Sequence, residues 1–363
     1  MRVGEAWLVL NLEANRLIKP EKQRTSPVED SNWNALLAAQ PKSSFFHTSE
    51  WAKVLVDTYG FKPVYFGAGA EGGIRSWLPL MEVDSWLTGR RGVSLPFTDD
   101  CEPLCDEAGT FQELFRDAVG FGKSRGWKYI EIRGGRELLH EVPASLSFYG
   151  HALDLTAGEA GLFLHLESSV RRAIRKAEKA GVTVEVLQSL EAMRIFYALQ
   201  CQTRKKHGLP PQPFSFFLNI HRHILSQNLG MVVLARHQGR PVAGAVYFNY
   251  GEQALYKFGA SDETYQDVRG GNLVMWAAIK EHLRRGAKRL DFGRTSIGNE
   301  GLRRFKLGWG TAEHRIEYLK FDLRKNEFVT DVDGTAGWHT QVFRRLPDCL
   351  ARTAGRVLYK HWA

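Results

Sequence analysis

Polar and apolar positions along this chain change rhythm repeatedly, and the changes outline its elements. Trp51, Val54, Leu55 and Thr58 recur at helical spacing behind a Thr48 or Ser49 cap, so the segment from Ser43 to Gly60 reads as a capped helix. PVYFGAG and IRSWLPLMEV then read as two strands around a turn at Glu71, Gly72 and Gly73. Further on, the stretch ending in HALDLT is a strand, ESSVRRAIRKAEKAG a helix ending at Gly181, VTVEVLQS a strand and LEAMRIFYALQCQTRKKHG a helix stopped by Pro210, Pro211 and Pro213. FSFFLNIHRHILSQN restarts as a helix, and MVVLARHQGRPVAGAVYFNY is a hairpin turning at Gln238 and Gly239.

One pattern occurs twice. SLPFTDDCEPLCD, the helical EAGTFQELFRDAVGFGKSRG and the strand WKYIEIRGG are answered by ALYKFGASDETYQDVRGG, NLVMWAAIKEHLRRG and AKRLDFGRT. Each helix ends on a glycine, Gly126 or Gly286, and each following strand carries an acid, Glu131 or Asp291, before a glycine-bearing loop. A helix that returns the chain to a parallel neighbour leaves an opening at the strand ends, where ligands bind. Two openings imply one pocket for each of two substrates, or one working and one retired.

With 363 residues, 44% hydrophobic and 25% charged, the chain has material for about two domains. Residues 1–150 are read as the first, with a loosely packed arm to about residue 30, residues 151–330 as the second, and 331–363 as a basic helical segment that packs back on the first. Net charge of +9 favours anionic partners. Four irregularly spaced cysteines make no disulfide framework and no metal site, which fits a reducing cytoplasm. No run reaches the ~18 apolar residues of a membrane span, so contact with a membrane would be peripheral, at its inner face.

Two places carry candidate chemistry. The loop from Gln266 runs through Arg269, Gly270 and Gly271 into a helix beginning near Asn272, whose first backbone N–H groups make an anion or oxyanion site. It resembles the coenzyme A pyrophosphate loop of acetyltransferases, with Arg269 where a glycine is usual. The glycine-dense DFGRTSIGNEGLRRFKLGWG reads as a flexible loop that gathers Arg294, Arg303, Arg304 and Lys306 after a strand, where a substrate phosphate or carboxylate would be held. A third feature, Arg171, Arg172, Arg175, Lys176 and Lys179 on RRAIRKAEKAG, is either a solvated helix face or a phosphate-binding stripe. Motifs for nucleophilic serine or cysteine catalysis and for GKS/T-type phosphate binding are absent from the sequence. Direct attack of an amine on an activated acyl group needs only alignment, an oxyanion donor set and a proton acceptor.

WAKVL, RRAIRKAEKAG, TRKKHGLPPQPFSFF and GGNLVMWAAIKEHLRRGAKRLDFGRTSIGNEGLRRFKLGWG, in that order, resemble the FemAB-type transferases and their acetyltransferase-like relatives. The likeness runs from about Phe45 to about Trp309. It implies a mixed α/β fold of two tandem GNAT-type domains and transfer of an aminoacyl group from aminoacyl-tRNA to an amine of a peptidoglycan precursor. Acyl-CoA is the donor in the wider superfamily. It further implies that Phe305 and Lys306 lie at the acyl-transfer site, Lys306 stabilising an oxyanion or holding the donor's phosphate or ribose end. Asp106 would contact the acceptor, and Arg204 or Lys206 would hold its diphosphate. RKKHGLPPQP is similar to uncharacterised relatives tied to polysaccharide or envelope loci, so an amino sugar of an exopolysaccharide is an alternative acceptor. A chemically inactive RNA- or membrane-surface-binding protein is the reading from another class.

Overall fold

The computed structural model describes residues 21–70, 73–331 and 339–362. The first twenty residues of the expected arm and part of the turn at Glu71–Gly73 lie outside these residues. The chain forms two compact units. The first holds the described residues up to Ser147, from Ile316 to Asp331, and from Lys360 on; the second holds Phe148–Arg315 and the C-terminal stretch to Tyr359.

The first unit begins with β1 (Glu21–Thr25) and α1 (Trp33–Ala38), then α2 (Ser49–Tyr59), β2 (Lys62–Pro63), β3 (Tyr65–Ala70), β4 (Gly73–Leu78), β5 (Met81–Val83), β6 (Arg91–Val93), α3 (Ala108–Arg125) and β7 (Tyr129–Arg133). Within the arm expected to be loose, β1 pairs antiparallel with β3; just beyond it Trp33 is buried, its indole N–H donating to His47 O. Helix α2 starts where its cap was expected, Thr48 accepting from the Trp51 N–H.

The chain enters the second unit within β8 (Leu146–Asp154). There follow α4 (Gly158–His165), α5 (Ser168–Lys179), β9 (Thr183–Leu187), α6 (Leu190–Lys206), α7 (Phe214–His223), β10 (Gly230–His237), β11 (Arg240–Tyr250), β12 (Gln253–Ser261), α8 (Gly270–Arg284), β13 (Arg289–Ser296) and α9 (Glu300–Leu307). Strands run in the order β8-β13-β12-β11-β10-β9. Met231, Val233 and Ala245 of the sheet pack with Ile174 of α5 and Val274, Met275 and Ile279 of α8 in one core. The β10–β11 hairpin turns on Gln238 and Gly239, both at positive φ, which is why the turn carries glycine.

β14 (Ala312–Asp322) returns the chain to the first unit, and β15 (Glu327–Val329) pairs with it. There β2, β5, β6, β7 and β14 lie in that order. Phe111, Phe115 and Ala118 of α3 pack on Ile130, Ile132, Leu319 and Phe321.

Both copies of the duplicated unit are present. β6 and β7 are parallel across α3, and β12 and β13 are parallel across α8. The two helices close alike: Gly126 and Gly286 lie at φ +70° and +80°, and the residue after each donates back to the fifth preceding carbonyl, Trp127 N to Gly122 O and Ala287 N to His282 O. Only a residue without Cβ takes that conformation cheaply, so the matched glycines were a true signal.

The C-terminal segment departs from expectation. α10 (His339–Arg345) and α11 (Asp348–Leu358) belong to the second unit, and only the residues from Lys360 on belong to the first. Gly355 seats α11 on the proline turn after α6: a Cβ there would stand 1.9 Å from Pro211 O. Lys205 pairs with Asp348, and the Tyr359 hydroxyl meets Arg204 and Pro210 O. Composition alone does not decide which unit a basic helical segment covers; here Arg204 and Lys205 of α6 do.

Candidate acyl-transfer site

The second unit's sheet opens between its two parallel strands. β12 and β13 pair only from Gln253↔Arg289 to Leu255↔Asp291, yet β12 continues to Ser261 and β13 to Ser296. Each strand bends away at an irregularity. β12 has an extra residue against Val246 and Tyr247 of β11, and β13 shifts register against β8 between Asp291 and Arg294. Tyr256, Lys257, Phe258 and Gly259 are half-buried along the opened edge, between fully buried Leu255 and Ala260. Tyr256 packs on Tyr247 and Phe292, and burial pushes its phenol up to about 12, so it stays a neutral hydroxyl.

The loop predicted to bind anions stands at the open end of this split. Arg269, at φ +57°, caps α8 with its side chain exposed; Gly270 is buried, Gly271 exposed and Asn272 half-buried. Gly270 lets α8 approach β11, since a Cβ there would come 3.0 Å from Val242 Cγ2, whereas nothing lies within 4 Å of one at Gly271. Asn272 N donates back to Arg269 O, so this start presents the N–H groups ahead of it and the positive end of the dipole. The end of α6 meets the same strand end. Thr203 Oγ1 donates to Ser261 O and accepts from its N–H, and Lys206 pairs with Glu263 at 2.8 Å.

α9 follows β13 directly and was read from the sequence as a glycine-rich loop. Its start is capped by Asn299, whose side chain accepts from Leu302 N. Phe305 is half-exposed and packs edge-on against Trp309. Lys306, expected to face an oxyanion or a phosphate, is 2% exposed, and its ammonium donates to Gly293 O (2.7 Å) and Arg294 O (3.0 Å). A cation so enclosed braces the bent part of β13 and does not reach outward. The other cations differ in their partners. Arg303 is held bidentate by Glu313 and lies over the Tyr149 ring, Arg294 lies over Phe148, and Arg304 is exposed. Arg204, expected at an acceptor diphosphate, donates instead to the Tyr359 hydroxyl at 2.6 Å. Asp106 is exposed in the first unit, just before α3.

Sequence reading missed His151. It is fully buried on β8, its Nε2 3.2 Å from Glu313 Oε2. Burial first, then the nearby Lys306 charge, lowers its pKa, so the imidazole is neutral at ordinary pH. Its signal was a histidine within an apolar strand, which is indistinguishable from packing without the positions of Lys306 and Glu313.

In the first unit the corresponding opening is filled by its own loop. Beyond Val93, Ser94 N donates to Glu131 O and Cys101 N to Arg133 O, while Ser94 Oγ accepts from Arg133 N. The Arg133 guanidinium is buried on the carbonyls of Leu95 and Thr98, and the Tyr318 hydroxyl donates to Asp99 O. Leu95 and Phe97, both at positive φ, show that the loop is forced into place.

The stripe on α5 is a helix face, with Val170, Ile174 and Ala177 buried beneath it and Arg172, Arg175, Lys176 and Lys179 exposed. Among the described residues no helix is long and apolar enough to cross a membrane.

A split parallel pair with a helix start at its mouth is the arrangement of a GNAT-type fold. Residues 165–315 match the family model of the acetyltransferase (GNAT) domain. The chain's fold is similar to FemX (TM-score 0.65, 15% identity, 82% of this chain and 96% of that one). It is also similar to the C-terminal domain of a putative lysylphosphatidylglycerol synthetase from Agrobacterium fabrum (TM-score 0.54, 16% identity, 80% and 90%). A tandem GNAT protein from the clavulanic acid biosynthesis pathway is a third (TM-score 0.51, 12% identity, 84% and 99%). No curated protein matches the chain.

Proposed function

We propose that this acyltransferase forms an amide on an amino group of an anionic cell-envelope precursor, working in the cytoplasm with the acyl donor held in the second unit. The observation that carries this reading is the contrast between the two openings: the one beside α8 is open, and its counterpart is sealed by Ser94, Cys101 and Arg133. The β12 edge beyond Leu255 has no ladder to β13 and gives an extended donor arm a strand to lie along, and the α8 start offers N–H groups to its phosphates.

Chemically, the amine nitrogen attacks the acyl carbonyl and the carbonyl oxygen takes up charge; as the adduct collapses, the donor's thiolate or ribose alkoxide leaves with the electron pair and takes up the proton the amine gives up. Phe305 gives the acyl chain an apolar surface, while Lys306 acts by fixing the Gly293–Arg294 backbone at the split. Exposed Arg304 and Arg269 are the cations available to the substrates' phosphates, with Lys206 as an acceptor contact. Coenzyme A fits the open edge because its pantetheine arm carries amides that pair like a strand; aminoacyl-tRNA, the donor implied by the FemAB resemblance, would use the basic α8 start alone. Thermal unfolding with coenzyme A and with tRNA separates them, since a ligand of the native state raises Tm by mass action. A shift with neither, together with no amide product from acyl-CoA or aminoacyl-tRNA and a peptidoglycan-type amine or an amino sugar, would refute the reading.

A further inference from the structure

The β5–β6 hairpin of the first unit carries an exposed apolar tip on a backbone that cannot fold it away. Its loop, residues 84–90, puts Trp86 at 83% and Leu87 at 52% exposure. Ser85 O accepts from Gly89 N at 2.7 Å, and Ser85 Oγ accepts from Thr88 N at 2.9 Å. Arg91, buried below, donates to Thr88 Oγ1 and to His361 O, while Ser85 Oγ lies 2.8 Å from His361 Nδ1. The last residues of the described chain thus lock the loop. They add Trp362, 44% exposed, beside it, and His361 meets the Trp86 ring edge-on at 5.3 Å.

The charge around this tip is one-sided. Lys128 Nζ donates to Thr88 O from behind the turn, and Lys360 precedes His361. The loop's one acid, Asp84, is paired with Arg90 at 2.9 Å. A turn that holds an indole and a leucine in water, flanked by Lys128 and Lys360, matches a surface with an apolar interior under an anionic layer. Indole prefers the headgroup level, leucine the acyl boundary, and lysines reach back to the phosphates.

We propose that this tip docks the protein reversibly on anionic lipid membrane. The inference rests on the first unit's hairpin and is independent of the donor site. Two side chains and a few cations give weak binding, steeply reduced by salt because the Debye length falls from roughly 30 Å at 0.01 M to about 8 Å at physiological strength.

The test is co-sedimentation of the full chain with phosphatidylcholine vesicles, with and without phosphatidylglycerol, at low and physiological salt. Wild type is expected to pellet with the anionic vesicles, with Trp emission shifted to the blue. Trp86→Ser with Leu87→Ser should reduce binding about ten-fold, and Lys360→Glu should remove most of its salt dependence. Both variants change exposed side chains and should unfold like wild type. Absence of binding to the anionic vesicles, or equal binding by the double variant, overturns the proposal. So does a wild-type dimer that the double variant abolishes while vesicles bind neither, since a second copy then covers the tip.

Discussion

The ammonium of Lys306 lies 2.7 Å from the carbonyl oxygen of Gly293, and this contact fastens α9 to the strand that bends away from β12. The strand carries a register shift there, so two carbonyls that would face a neighbouring strand are turned to a lysine. Lys306→Ala would leave them buried and unpaired beside a void. We expect a loss on the order of 3 kcal/mol in urea unfolding. Donor binding should weaken more than acceptor binding, measured as Kd on protein still folded.

Gly271 gives a cleaner probe of the donor site. A side chain there meets nothing within 4 Å, and an acid at a helix start suits the dipole, so Gly271→Glu should leave unfolding unchanged within ~0.5 kcal/mol. Its carboxylate would stand where donor phosphate is proposed to bind. The Tm increase produced by coenzyme A or tRNA in wild type should be lost in the variant.

Acid stability follows from buried imidazoles. Burial, with Arg285 adding to it, holds His282 at about 3, and burial lowers His47 and His151 as well. Each is neutral in the folded chain, while an unfolded histidine protonates near 6.5, so the unfolded state binds more protons as pH falls. Their contribution is therefore complete above about pH 6.5 and is lost progressively below it, His282 alone on the order of 4 kcal/mol by about pH 3. Unfolding free energies at about pH 8 and about pH 5 should fall with that sign, and His282→Leu should flatten the dependence.

The contact between Tyr359 and Arg204 predicts how firmly the C-terminal helix is held. Tyr359→Phe removes the hydroxyl that accepts from the guanidinium and should cost about 1–2 kcal/mol. Gly355→Val, pushing a side chain into Pro211 O, should cost more. Hydrogen exchange over residues 348–358 should rise in both, with the core of α8 unaffected.

Legibility tracked locality. The matched αL glycines, the Thr48 cap and the Gln238–Gly239 turn are short-range devices, and each was readable from neighbouring residues. α9 was missed because Gly298, Gly301 and Gly308 crowd it, although its Asn299 cap and the buried Lys306 hold it. α4 was missed as well, being barely two turns long with one buried residue. The cations of the candidate site were found by type and position, but their partners were not. Whether an arginine is available to a ligand depends on Glu313, Tyr149 or Tyr359, each reached through the fold rather than along the sequence.

The loop that plugs the first unit sets a count. With one cradle occupied by the chain's own backbone, a titration with donor should level off at a single molecule per polypeptide, and excess donor should not slow turnover by filling the twin. Duplication here supplied a second scaffold, not a second vacancy.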